Sequence, residues 1–247
     1  KENPVRHAPP VARPYGGALP RILQLIRHAK PQYGPASGSE HDPKDGFYKL
    51  ALAAEDCLRL AVLFPQYEGE PRLVGIPLAC TMGWVQSPPS FSTMSETVCD
   101  VANTRFAAAP FSAKSHRLSS LAESMDDPIR SWTPTPLEPE DLAANAALAA
   151  APGVVALPPE PEHTAPPSNR PFQRPIGHTD VFVDDFIQVG QGSHSRLKGL
   201  RNHLLHAIDG MITQPEISPG VVKEPVSLKK LKKGDGSWNS RNATLGW

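Results

Sequence analysis

Apolar positions along the chain change period several times, and each change marks an expected element. Between Leu19 and Ala29 (LPRILQLIRHA), positions 19, 22, 23 and 26 recur at helical spacing and predict an amphipathic helix. Residues 31–41 (PQYGPASGSEH) hold almost nothing apolar and read as loop. Extended runs follow at 48–52, 60–64 and 73–78, the last two joined through QYEGEPR as a hairpin. Ser87-Pro88 reads as a helix start, with Ser at the N-cap and Pro at the first helical position. Phe91, Met94, Val98 and Val101 then carry one apolar face to about Phe106. In VFVDDFIQV (181–189) two β-type runs flank Asp184-Asp185, which predicts a hairpin with both acids at its turn. A long amphipathic helix follows, with Leu197, Leu200, Leu204, Leu205, Ile208, Met211 and Ile212 on one side.

Composition changes this picture in one place. Proline makes up 29 of 247 residues, about 12% against a usual ~5%, and thirteen of those prolines fall between Pro110 and Pro175. Mixed there with Ala, Ser, Glu and Thr, they leave too little apolar surface to offset the entropy of ordering. The chain therefore divides into a flexible segment (1–18), a first ordered part (19–106), a Pro/Ala-rich disordered insert (107–175) and a second ordered part (176–247). Lys+Arg 25 balance Asp+Glu 25, so no overall basic field draws in a polyanion. A local run, Lys229, Lys230, Lys232 and Lys233, still suits phosphate contacts or a solvated face. Cys57, Cys80 and Cys99 match no metal-ligand spacing and are expected as buried thiols. His203 and His206, three apart on a helix and a possible metal pair, lack a third ligand and read as solvated or half-buried histidines. The N-terminal stretch lacks the apolar run of a signal peptide, and no segment reaches membrane-helix length, so the chain is expected to be intracellular, in cytoplasm or nucleus, with no membrane partner.

The chemistry begins with Asp184 and Asp185. A magnesium ion that bridges phosphates takes one or two carboxylates plus substrate oxygens. A bare Asp-rich turn is the other reading, and a further acid from another strand decides between them. Asp42 is the candidate: in DPKDGFYKL it precedes a sharp turn at Asp45-Gly46 and then Phe47-Tyr48. The third element, CTMGWVQSPPSF (80–91), runs a Gly-containing turn into a helix N-terminus, where backbone can approach a base pair or phosphate.

In order and combination these motifs resemble the palm of a reverse transcriptase, of the kind encoded by LTR-type retroelements. A D-x-x-D-G-[FY] motif stands at Asp42, Asp45, Gly46 and Phe47. An [LP]-P-x-G-x-x-x-S-P-x-x-F motif is matched by Met82-Gly83-Trp84, Ser87-Pro88 and Phe91, and [FY]-x-D-D by Phe182-Val183-Asp184-Asp185. Lys229 or Lys230 looks like the lysine-bearing turn that follows, and Leu245-Gly246-Trp247 like the primer-gripping hairpin. The resemblance implies an α+β palm, an antiparallel sheet with flanking helices, interrupted by the insert. It implies template-directed DNA synthesis by two-metal nucleotidyl transfer with Mg2+ or Mn2+, on an RNA or DNA template-primer with deoxynucleotides. Asp42 and Asp184 would bridge the ions, Asp185 would assist, and Lys230 would protonate the leaving group. Asp45 and Phe47 would meet the incoming nucleotide, with Phe47 under its sugar. Met82 and Gly83 would touch the template–nucleotide pair; Ser87, Phe182 and 245–247 would line the primer and template.

Several positions depart from the family pattern. GPASGSEH (34–41) replaces the apolar strand that normally carries the first acid, and Pro43 follows that acid where a free N–H is usual. Thr81 stands where Pro is common. These departures predict that the Asp42 segment stays out of the sheet and that the chain, a truncated or decayed copy, has no polymerase activity alone. A non-enzymatic palm remnant and another magnesium-dependent phosphotransferase are the alternatives.

Overall fold

The computed structural model describes residues 17–127, 175–212 and 224–240. In chain order the elements are α1 (Ala18–Arg27), β1 (Ser37–His41), α2 (Ala54–Arg59), β2 (Val62–Leu63), β3 (Val74–Gly75), α3 (Ser87–Ala108), α4 (Ser119–Glu123), β4 (Gly177–Phe182), β5 (Asp185–Gly190), α5 (His194–Ile212) and α6 (Leu228–Leu231). Helices pack on one small antiparallel sheet, while a second, two-stranded one stands largely exposed, in an α+β architecture. One sheet has the order β1-β5-β4, and the other pairs β2 with β3.

The three-stranded sheet is covered on both faces. Val181 and Phe186 join Val98, Cys99 and Ala102 of α3 and Leu204, Leu205 and Ile208 of α5. On the opposite face Ile187 and Val189 pack with Ile22 and Leu25 of α1. Each such side chain contributes about 1.5–3 kcal/mol by leaving water, so the apolar spacing of α3 and α5 is what clamps the sheet. Leu23 and Ile26, counted with the apolar face from spacing alone, point outward instead. The free edge of β4 is closed by Asn103: its side-chain amide donates to Thr179 O, and its carbonyl accepts from Thr179 N, both at 2.8 Å.

β1 forms where the sequence predicts loop. Its five residues pair along their length with β5, from Ser37 opposite Gly190 to His41 opposite Phe186. On its other side Gly38 exchanges two backbone bonds with Asn239, and Gly236 N donates to Glu40 O. Neighbours on both sides override the low β-propensity of Ser and Gly. The facing segment needs its glycine there: a Cβ on Gly236 would come within 2.8 Å of the His41 ring. Pro43 does not break this pattern. It opposes Val226 in an isolated bridge, and the ladder bonds run through its neighbours, Ser227 N to Asp42 O and Lys44 N to Pro225 O. The missing proline N–H falls at a position that needs no donor.

Other boundaries also shift. Ser87 is the first residue of α3 rather than its cap; it is buried, and its hydroxyl donates to Thr81 O at 2.7 Å. The run at 48–52 is a 3₁₀ turn, Gly46–Lys49, followed by a single bridge from Ala51 to Ala79, and α2 precedes the β2–β3 hairpin. Residues 107–127 do not behave as insert. Leu118 and Ala122 enter the main core, His116 bonds Asp209 at 2.9 Å, and Asp126 makes a two-pronged ion pair with the fully buried Arg201. Polar anchors, which composition does not weigh, hold this stretch. The rest of the expected insert, 128–174, lies outside the described residues, as do Leu245, Gly246 and Trp247. The three cysteines are free and buried. His203 and His206 each set Nε2 at 3.0 Å from a carbonyl, Ala109 O and Lys114 O. Among the described residues no helix is long and apolar enough to cross a membrane.

Candidate active site

The acids meet at one end of the three-stranded sheet. β4 and β5 are joined by a two-residue turn, Val183-Asp184, with Phe182 paired to Asp185. Asp185 is thus the first residue of β5, and only Asp184 lies in the turn itself. Val183 has φ 60°, and Ser95 of α3 fixes its carbonyl by donating from Oγ at 2.9 Å. β1 ends at His41 opposite Phe186, so the next pair in register sets Asp42 across from Asp185. Side chains two apart on a strand share a face, which brings Glu40 to the same side. Asp42, Asp184, Asp185 and Glu40 are all half-buried.

Their proximity shows in their proton affinities. Burial, then the charges of Asp184 and Asp42, push Asp185 up to about 6. Asp184 is raised by burial and by Asp42, against the pull of its own backbone N–H and of Lys230. Glu40 is pushed up to about 7 by burial, then by Asp185 and Asp235. Glu40 and Asp235 were not singled out in the sequence. Glu40 becomes visible only once 37–41 is recognised as a strand, because its place two residues before Asp42 then acquires meaning. Lys230 of α6 answers this cluster: its Nζ contacts Asp42 Oδ2, and its own proton affinity is raised chiefly by that bond; Lys233 acts on Asp235 at the margin. Of the two lysines the sequence offers, Lys230 is the one that lies against Asp42.

The remaining candidates lie in the turn after β1, in the loop that leads into α3, at the start of α3 and at the end of β4. Asp45 has a left-handed φ of 56°, which turns the chain into Gly46. A Cβ at Gly46 would press to 2.9 Å from the Phe91 ring; the glycine lets Phe47 stand edge-on to Phe91, with ring centres 5.2 Å apart. Met82 is exposed, and Gly83, at φ 89°, has open space around it. They border an apolar groove of about 720 Å³ beneath the β2–β3 hairpin, with Trp84, Phe64 and Ile76. Phe182 packs beside the Ile187–Val189 cluster. Ser87 is enclosed and its hydroxyl is used internally, which removes it from any template surface.

Among the described residues no three carboxylate, histidine or cysteine side chains close into a ready cage for a metal ion. The donor set nonetheless suits a hard divalent cation, which binds oxygen and completes its shell with substrate and water. The acids repel one another, and an ammonium group already lies against Asp42. A scan of family models, a search of curated proteins and a search of solved structures find no match to this chain.

Proposed function

We propose that this chain carries the palm of an RNA-directed DNA polymerase of the LTR-retroelement kind. The observation that carries the reading is the register of β1 on β5. It brings Asp42 opposite Asp185 and beside Asp184 although 142 residues separate Asp42 from Asp184. The order of the motifs in sequence and their meeting at one sheet end are independent features, and both favour the same chemistry.

On this reading Asp42, Asp184 and Asp185 would hold divalent metal, which would supply a lowered pKa for a primer 3′-hydroxyl and stabilisation of charge on a leaving pyrophosphate. Lys230 keeps its proton at Nζ through neutral pH, since the Asp42 carboxylate favours the ammonium form, and it is positioned to deliver that proton to a leaving phosphate oxygen. Phe47, braced by Phe91, presents a ring edge to the nucleotide sugar. Met82, which is exposed, and the open backbone of Gly83 would contact the nascent base pair. The pairing of β1 with β5 removes one ground for expecting an inactive chain, an unpaired Asp42 segment, while the balanced net charge still offers a polyanion no overall attraction.

The test is primer extension on poly(rA)·oligo(dT) with Mn2+ or Mg2+. Incorporation of thymidylate at least tenfold above an Asp184→Ala control is the expected outcome. A second reading, a palm remnant without catalysis, draws on the engagement of Asp42 by Lys230. Equal signals from wild type and control, with Asp42-dependent Mn2+ binding intact, would establish it instead.

A further inference from the structure

Lys230 does not sit on a free arm. The segment that carries it is tied to β1 on both sides of Asp42: Ser227 N donates to Asp42 O and Lys44 N to Pro225 O before α6, while Gly236 N donates to Glu40 O after it. Ser227 also caps α6 by accepting from Lys230 N. The backbone therefore fixes where the Lys230 side chain starts, two short links from the acid it contacts. Asp42 is 15% exposed and Lys230 51%, so the carboxylate is the sheltered partner and the ammonium the one free to leave. Asp42 faces Asp185 and Asp184 as well, and Asp235 follows in the turn after α6 with Lys233 near it, so Lys230 is the cation set against Asp42 itself in a largely acidic cluster.

We propose that Lys230 is a built-in counter-cation that occupies the Asp42 carboxylate in the metal-free protein and is displaced when a divalent ion binds. The inference rests on the metal-site reading above and adds a regulatory consequence: the protein sets its own threshold for metal through one ion pair. The strap 225–236 keeps the lysine close after displacement, ready to return when the metal leaves. Exchange of one cation for another at the same carboxylate needs no movement of the sheet.

Mn2+ affinity, followed by electron paramagnetic resonance of the free ion, tests this in the full chain. Lys230→Gln should bind Mn2+ about two- to fivefold more tightly, the range expected for loss of a half-exposed ion pair. Lys230→Arg should stay near wild type. Without metal, Lys230→Gln should melt below wild type, and saturating Mn2+ should raise its Tm by more. Lys229→Gln removes the same charge from the adjacent position without touching Asp42. Equal tightening by Lys229→Gln and Lys230→Gln would reduce the effect to net charge and overturn the proposal, as would unchanged or weaker binding by Lys230→Gln. Absence of any binding that Asp42→Asn abolishes would overturn the metal-site reading and this inference together. Asp42-dependent binding that ignores Lys230 would overturn this inference alone.

Discussion

Val183 takes a φ of 60°, a left-handed conformation that a β-branched side chain seldom adopts, and it does so immediately before Asp184. Strain of this kind costs about 1–3 kcal/mol and tends to collect at functional sites; here the Ser95 hydroxyl restrains the peptide that carries it. The acids beside it store a second unfavourable contribution. Glu40 is pushed up to about 7 and Asp185 to about 6, first by burial and then by neighbouring carboxylates. Only below the unfolded values, 4.5 for Glu40 and 3.8 for Asp185, is each protonated both folded and unfolded, and there its contribution to the fold is complete. As pH rises through the folded values, the native state must accept charges the unfolded chain bears easily, so stability falls. His41 works in the opposite direction. Buried and held down to about 3, it stays neutral where the unfolded chain takes up a proton, so its contribution is complete above pH 6.5 and is lost on acidification. The two effects separate above neutrality, where the carboxylates alone titrate. Glu40→Gln should therefore leave Tm unchanged at pH 4 and raise it by roughly 1–3 °C at pH 8, the scale of a solvent-screened charge interaction in a chain of this size. Thermal melts at the two pH values check this; an equal shift at both would mean that Glu40 does not feel the cluster.

At the scale of elements, α3 serves the Asp-Asp hairpin through two polar side chains with separable tasks. Asn103 completes the hydrogen bonding of the β4 edge, remote from the acids, whereas Ser95 holds the turn that bears Asp184. Asn103→Ala leaves two backbone groups of Thr179 unpaired, at a cost of about 1–3 kcal/mol, and should lower Tm by several degrees while leaving Mn2+ affinity near wild type. Ser95→Ala should do the reverse, weakening Mn2+ binding about threefold or more with a smaller loss of Tm, since one partly buried bond contributes only ~1 kcal/mol. A melt and a Mn2+ titration on both variants read the crossed pattern, and parallel losses would show that α3 acts as a unit. The same elements show what was legible in the sequence. The hairpin and the helices α1 and α3 follow from apolar period because their burial is largely one-sided; α5 follows from it too, although burial there extends around to Arg201, Asn202 and His203 and leaves Met211 exposed. β1 does not, because Ser37, Gly38 and Ser39 have no preference of their own and become a strand only between β5 and the segment at 236–239. The Ser87 cap failed for a related reason: a hydroxyl that suits an N-cap suits the Thr81 carbonyl equally well.

For the whole molecule, the candidate site depends on a polar layer far from it in sequence. Arg201 of α5 is fully buried and donates to both oxygens of Asp126 at 2.8 and 2.9 Å and to Gly236 O at 3.0 Å. Asp126 also accepts from Trp238 N at 2.8 Å, and the Trp238 indole N–H donates to Leu197 O. One carboxylate thus joins the loop after α4, the long helix α5 and the segment that pairs with β1 and follows Lys230. Proline content hides this, because it averages 110–127 with the richer stretch beyond, although His116, Leu118, Ala122 and Asp126 each have a partner in the core. If the ordered part ended at 106, replacing Asp126 would be silent. With the layer intact, Asp126→Ala strands a buried guanidinium, and removing one partner of a buried pair costs about 3–5 kcal/mol. That corresponds to a fall in Tm of roughly 8–15 °C for a chain of this length. Replacing both partners, Asp126→Leu with Arg201→Met, should recover much of the loss, because no unpaired charge then remains. Far-UV circular dichroism melts of the single and double variants provide the measurement. A silent Asp126→Ala would return 110–127 to the insert, whereas a large loss that the double replacement restores would make those residues part of the fold that holds Asp42 and Lys230 together.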